Sequence, residues 1–266
     1  MEYEDIIFKK EDGIATITLN RPQKLNALTP VMIKSIRSAA QDADQDDEVR
    51  VLVVTGAGRA FCSGQDVSAL AGRATETSGA ERVKLILTRG EMAYERPMMQ
   101  SLGKPVIAAV NGPAVGFGAE LATMCDFRIV SDRARFGWVF TRRGIVPDIG
   151  GCYLLPRLVG VEKACELIFT GDIIEAQEAE RIGLVSKVVP HEELETATRA
   201  LADRLKSAAP LAIRFAKHGI YTGLRRDFEW AMEYANFAYG VLFQTDDVKE
   251  GMAAFKEKRK PIFKGH

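Results

Sequence analysis

KPVIAAVNGPAVGFGAELATMCDFRIVSD, residues 104–132, holds a complete strand–turn–helix–strand unit. Residues 105–110 form a short, unbroken apolar run that ends at Asn111-Gly112-Pro113, the pattern of a fully buried strand stopped by turn residues. A helical pattern, AELATM, follows the glycines at 116 and 118, and strand character returns at 127–131. Buried strands separated by a helix predict an α/β architecture.

The same texture extends outward. VRVLVVT, residues 49–55, reads as another buried strand, stopped by Gly56. IATITLN, residues 14–20, alternates apolar and polar side chains and pairs with residues 6–9 as a hairpin across the turn at 11–13. Thr29-Pro30 predicts an N-cap with proline at the first helical position. Met32, Ile33, Ile36, Ala39, Ala40 and Ala43 then fall at helical spacing. A further strand is expected at 185–189, and helices around 80–100, 118–124, 160–169 and 176–182. From about Glu192 to Arg259 helical patterns dominate, with breaks near Pro210, Gly223 and Gly240. We read residues 1–200 as the α/β core and 201–266 as a helical appendage.

Composition narrows the function. The 266 residues suit one large domain or a domain with an appendage. Lys+Arg and Asp+Glu each total 36, so the cation excess of a nucleic-acid binder is missing. With 47% hydrophobic residues a sizeable core is available, which excludes a disordered chain. The longest apolar runs, 51–54 and 106–110, fall far short of the ~20 residues of a membrane span. The opening MEYEDIIFKKEDG lacks a signal-peptide apolar block. Cys62, Cys125, Cys152 and Cys165 form no C-x-x-C pair, so neither a zinc site nor a disulfide framework is expected. These features predict a cytoplasmic protein with no metal, nucleic-acid or membrane partner.

Three glycine-containing segments place polar groups near strand ends: residues 56–66, 111–120 and 144–151. Ligands in open α/β sheets bind at the carboxyl ends of strands, which favours a site shared by the first two. Familiar motifs fail on spacing. Gly56–Gly58 lacks a following G-K-[ST], Leu121 stands where a dinucleotide fingerprint needs its third glycine, and Phe61 breaks G-x-S-x-G around Ser63. Two backbone N–H groups from the first two segments meet the requirement for holding an oxyanion, with Glu120 in the first turn of the adjoining helix. Taken alone, the glycines need do no more than make turns, and Glu120 no more than cap its helix.

Together these stretches resemble the crotonase superfamily of enoyl-CoA hydratases and isomerases. The match runs through RPQKLNAL (21–28), AFCSGQD (60–66), residues 104–132, the P-D-x-G-G-x-x-L-P-R-x-V-G stretch (147–160) and GMAAFKEKRKPIF near the end. The resemblance implies a spiral of ββα units and a C-terminal helical region that builds homotrimers or dimers of trimers. It implies acyl-CoA thioester substrates, CoA being part of the substrate and no separate cofactor being needed. It assigns the oxyanion-holding N–H groups to Gln65 and Phe117, where most relatives carry small residues. It places Ser63, Gly64, Asp66 and Gly116 around the thioester, Lys24 near the adenine or phosphates of CoA, and Phe255 and Lys258 on a neighbouring subunit's CoA. Met92, Tyr94, Met98 and Met99 fall in the segment that lines the acyl pocket, although helix core explains them equally well.

The acids depart from the two-glutamate hydratase pattern. Glu120 matches the first glutamate. The second position holds Phe140, and Asp148 stands where such hydratases usually have glycine. An acid there is the pattern of several enoyl-CoA and dienoyl-CoA isomerases. The expectation is therefore a double-bond isomerase using Glu120 and Asp148. A hydratase using Glu120 is the alternative, and a non-catalytic acyl-CoA-binding protein is the reading of another class. A turn role for Asp148 after Pro147 remains open at this point.

Overall fold

The computed structural model describes residues 3–66 and 99–266. The hairpin of β1 (Ile6–Glu11) and β2 (Ile14–Leu19) starts a six-stranded sheet. It continues through β3 (Val51–Gly56), β4 (Val106–Val110), β6 (Phe127–Ser131) and β9 (Lys187–Val189) in the order β1-β2-β3-β4-β6-β9, and every pair after the hairpin is parallel. Parallel sheets are covered on both faces, which is why these strands read as apolar runs. Leu52, Val54, Ala108, Val110 and Val130 face the larger core, which also contains α1 (Pro30–Gln45) and α2 (Phe117–Met124). Val51, Val53, Ile107, Ala109 and Ile129 face a smaller core closed by α6 (Leu194–Lys206). The division drawn at residue 200 thus falls inside a helix that packs on the sheet.

A second, three-stranded sheet was not visible in the sequence. β5 (Ala114–Val115) pairs in parallel with β7 (Arg135–Gly137), and β8 (Ile173–Glu175) pairs antiparallel with β7. Strands of two or three residues are too short to show a period of two. Likewise α3 (Gly151–Val159) was hidden by Pro156 in its interior and by the paired glycines at its start. It is followed by α4 (Val161–Thr170) and α5 (Ala176–Arg181). The N-cap of α1 is as expected: Thr29 accepts the Met32 N–H at 3.1 Å, with Pro30 at the first helical position. The tail forms α7 (Pro210–Gly223), α8 (Phe228–Leu242) and α9 (Asp246–Glu257). Gly240 does not interrupt α8, whereas Pro210 and Gly223 do bound α7. Among the described residues no helix is long and apolar enough to cross a membrane.

The segment after β3 returns to lie against the segment after β4. Phe61 and Cys62 donate to Pro113 O, and Val115 donates to Cys62 O. Asn26 secures the turn from inside. Its Nδ2 donates to Ala57 O at 2.9 Å, Ala60 O at 2.8 Å and Phe61 O at 3.2 Å, and its Oδ1 accepts the Arg21 N–H. Asn26 is fully buried and has φ +55°, a conformation asparagine accepts more readily than alanine. Asn26→Ala is expected to destabilise the fold by at least about 2 kcal/mol, mid-range for leaving a buried polar group unpaired. Urea unfolding checks this, and an unchanged midpoint would deny Asn26 its structural role.

Candidate active site

Helix α2 begins where β5 ends, and its first turn carries Glu120, which has no solvent exposure. Its Oε1 accepts the Gly151 N–H at 2.7 Å and the Ile149 N–H at 3.4 Å. The carboxylate therefore sits on the N-terminus of α3, and a Cβ added at Gly151 would lie only 2.5 Å from Oε1. Oε2 is buried and has no hydrogen-bond partner among the described residues. Burial pushes the Glu120 carboxyl up to about 7; the Gly151 N–H opposes the shift, the negative charge of Asp148 adds to it, and the Ile149 N–H opposes it. A carboxyl balanced near neutrality both accepts and returns a proton, the property general acid–base chemistry needs.

Asp148 lies in the same loop as the two N–H groups that hold Glu120, and its side chain is exposed. Phe140 follows β7 and is buried in the larger core. No carboxylate stands at position 140.

Backbone packing brings Gly64, the neighbour of Gln65, against the first residues of α2. Leu28 pairs with Gln65 in a parallel bridge, its N–H donating to Gly64 O at 2.8 Å and its C=O accepting from Asp66 at 3.0 Å. In such a bridge the peptides flanking Gln65 face Leu28, and the N–H of Gln65 itself points the other way. Phe117 is the first residue of α2, where an N–H has no intrahelical acceptor. Neither amide has an acceptor among the described residues. Gly64, at φ +98°, lets the chains touch, and a Cβ there would lie 3.0 Å from Val115 O and 3.5 Å from the Phe117 nitrogen.

The other residues singled out in the sequence divide into two groups. Ser63, Asp66 and Gly116 hold the loops: Ser63 Oγ donates to Lys24 O at 3.4 Å, Asp66 pairs with Arg21 at 3.1 Å, and the Gly116 N–H donates to Gly137 O at 2.8 Å. Lys24, Phe255 and Lys258 are exposed, Phe255 at 84%, with Lys258 in the left-handed C-cap of α9 at φ +55°. Met99 is fully buried in the core, while Met92, Tyr94 and Met98 lie outside the described residues. Cys62 is buried beside the oxyanion loop, and burial pushes its thiol up to about 12, which unsuits it as a nucleophile. Sequence reasoning missed Asn26 and Asn111. Asn111 accepts the Gly56 N–H at 3.2 Å and donates to Gly58 O at 2.9 Å. Their positions in L-N-A and V-N-G-P turns were the available signal.

The start of α2 beside Gly64 and the buried carboxyl of Glu120 make up the candidate site. Residues 9–266 match the enoyl-CoA hydratase/isomerase family, and the chain belongs to that family within the crotonase superfamily. It is an enzyme of that group, acting in the class of acyl-CoA hydratases and isomerases. It is 40% identical over 264 residues to a crotonyl-CoA hydratase of Syntrophomonas wolfei, covering 99% of each chain. It is 41% identical to a short-chain-enoyl-CoA hydratase of Clostridium acetobutylicum, covering 98% of this chain and 97% of the other. The crystal structure of an enoyl-CoA hydratase from Bacillus anthracis superposes with a TM-score of 0.88 at 37% identity, covering 99% of this chain and all of that one.

The position of Glu120 makes stability depend on pH. An unfolded chain ionises this group near its ordinary value of 4.5, whereas the native chain keeps the proton until about 7. The native state therefore loses relative stability as pH rises from 4.5 to 7, and nothing further above that. The span corresponds to about 3 kcal/mol as an upper figure. Glu120→Gln cannot ionise, so it should gain up to that amount relative to the unsubstituted protein between pH 5 and pH 7.5. Urea unfolding at the two values measures the change, and a pH-independent difference would mean that Glu120 titrates normally.

Proposed function

We propose that this protein shifts the double bond of an enoyl-CoA thioester. The observation that carries the proposal is the replacement of a second carboxylate by buried Phe140, while the charge of Asp148 acts on Glu120. The N–H groups of Gln65 and Phe117 receive the thioester oxygen and stabilise its enolate. A carboxylate takes the proton from C2 of a 3-enoyl thioester, or from C4 of a 2-enoyl one. Electrons move into the thioester oxygen, and the proton returns at the other end of the conjugated system. No atom is gained or lost. Such a shift needs a base that reaches two carbons and does not need a held water.

Asp148 and Glu120 share this work in our reading. Glu120 is anchored through Oε1, which leaves Oε2 for the proton. Asp148 stands exposed in the loop that clamps Glu120, where its charge raises the proton affinity of that group. Lys24 is assigned to the adenine or phosphates of CoA, and Phe255 of α9 with Lys258 at its C-cap to the CoA of a neighbouring subunit, because exposed cations suit a phosphorylated nucleotide. The second reading is hydration with Glu120 alone, favoured by the relatives that are named hydratases.

Incubation with 2-enoyl and 3-enoyl thioesters in deuterated water separates the two. Isomerisation exchanges carbon-bound hydrogen and leaves the mass otherwise unchanged; hydration adds water. Asp148→Asn should retain the fold and CoA affinity and lower isomerisation at least ~10²-fold, the lower end of general-base contributions. Phe140→Glu should introduce or raise hydration. A harmless Asp148→Asn, a fatal Glu120→Gln and rapid hydration by the unsubstituted protein would overturn the isomerase reading.

The tail carries the proposal of a homotrimer or a dimer of trimers. In the single chain Phe228 is 78% exposed, Phe237 62% and Tyr239 64%, more apolar surface on one helix than a lone monomer usually leaves in water. Phe215 and Trp230 instead pack on Tyr234, and Phe243 on Tyr239, within the tail. Sedimentation at micromolar concentration is expected to give three or six chains per particle, and a monomer would remove the shared CoA site.

A further inference from the structure

Two cavities lie at the starting ends of the parallel strands, remote from the amides of Gln65 and Phe117 at the finishing ends. The smaller one, about 190 Å³, is bounded by the end of α1, the lead-in to β4 and the last turns of α7. That is far more than the ~15 Å³ one water needs. Arg214 and Arg225 are on its wall with His218, against a single carboxylate, Asp44. Asp44 is already engaged: its Oδ1 accepts the N–H groups of Gly103 at 2.8 Å and Lys104 at 3.2 Å, with Arg214 3.7 Å away. The Arg225 guanidinium has no ion-pair or hydrogen-bond partner among the described residues.

The site is built rather than incidental. Half-exposed Arg214 packs over Gly103, where a Cβ would come within 2.3 Å of its Nε, so a side chain there would displace the guanidinium. Behind the wall, buried Lys217 pairs with Asp126 at 2.7 Å and donates to Met99 O and Lys104 O, while the Tyr221 hydroxyl takes the other Asp126 oxygen. That network is self-compensating and fixes α7 against the β4 lead-in. A second cavity, about 330 Å³, shares Gly103 and Arg214 and adds Arg50, Lys104 and Lys264 against Asp47. Five cationic side chains and two carboxylates therefore line the two cavities, on a chain whose formal net charge is zero. Burial holds Lys104 below the ordinary ammonium range; Asp44, Asp46 and Asp47 oppose that shift, and the Arg214 charge adds to it.

We propose that this basic cleft binds a phosphate-type oxyanion, held between Arg214 and Arg225, at a site separate from the one for acyl-CoA. Planar guanidinium groups suit such an anion because each offers paired N–H donors. The larger cavity beyond Arg214 has room for the remainder of an organic phosphate.

Isothermal titration of the full chain with inorganic phosphate, and separately with adenosine monophosphate, tests this at constant ionic strength set with sodium chloride. Saturable binding is expected, weakened about tenfold or more by Arg225→Ala and partly restored by Arg225→Lys, with turnover of an enoyl-CoA unchanged by either substitution. Equal affinity for the two probes would identify free phosphate as the ligand, and tighter binding of the nucleotide would identify a phosphoester; both support the site. No saturable binding up to about 10 mM, a tenfold margin over a Kd of about 1 mM, would overturn it. So would binding that Arg225→Ala leaves unaltered.

Discussion

Backbone meets backbone at the centre of this molecule. A Cβ at Gly118 would lie 2.1 Å from Cys62 O, and one at Gly112 only 2.2 Å from Arg59 O. No side chain fits between the segment leaving β3 and the segment leaving β4. That contact sets the depth at which α2 begins, and hence where the N–H of Phe117 emerges beside Gly64. It also decides that residue 120 points inward. Asn26 and Asn111 supply from the interior the hydrogen bonds that a turn would otherwise take from water, so the close approach is held without solvent.

The cost of that arrangement falls on Glu120. A buried carboxyl is tolerated only when it is hydrogen-bonded, neutral or both. Here α3 supplies its first N–H groups to one oxygen, and burial keeps the group protonated to near neutral pH. The clamp explains the shape of residues 147–151. Gly151 must lack a side chain to admit Oε1, and the turn before it leaves Asp148 exposed. The proton affinity of Glu120 therefore follows from how this loop buries it.

The wider surface shows a division of labour between the two ends of the sheet. Strand carboxyl ends gather uncharged amides and a proton-balanced acid, suited to a thioester. Strand amino ends gather guanidinium and ammonium groups around Gly103 and Arg214. A neutral total charge conceals this separation, because composition averages over positions that the fold sorts.

Much was legible in the chain itself. Unbroken apolar runs mark strands covered on both faces, Thr29-Pro30 marks a helix start, and the ordered motifs mark the family, because each depends on neighbours in sequence. The candidate-site residues stood out for the same reason: glycines and a lone glutamate after a buried strand. What only the tertiary structure decided involves atoms distant in sequence. The β5-β7-β8 sheet is too short to carry a period, and α3 was obscured by Pro156. The pairing of Glu120 with the Gly151 N–H spans 31 positions. The roles of Asn26, Asn111 and Arg214 likewise depend on which carbonyl or glycine lies opposite, and the helix 194–206 proved to belong to the sheet it covers. Local patterns report hydrophobicity and backbone preference; proton affinity and charge clustering depend on burial and distance, which exist only once the chain has folded.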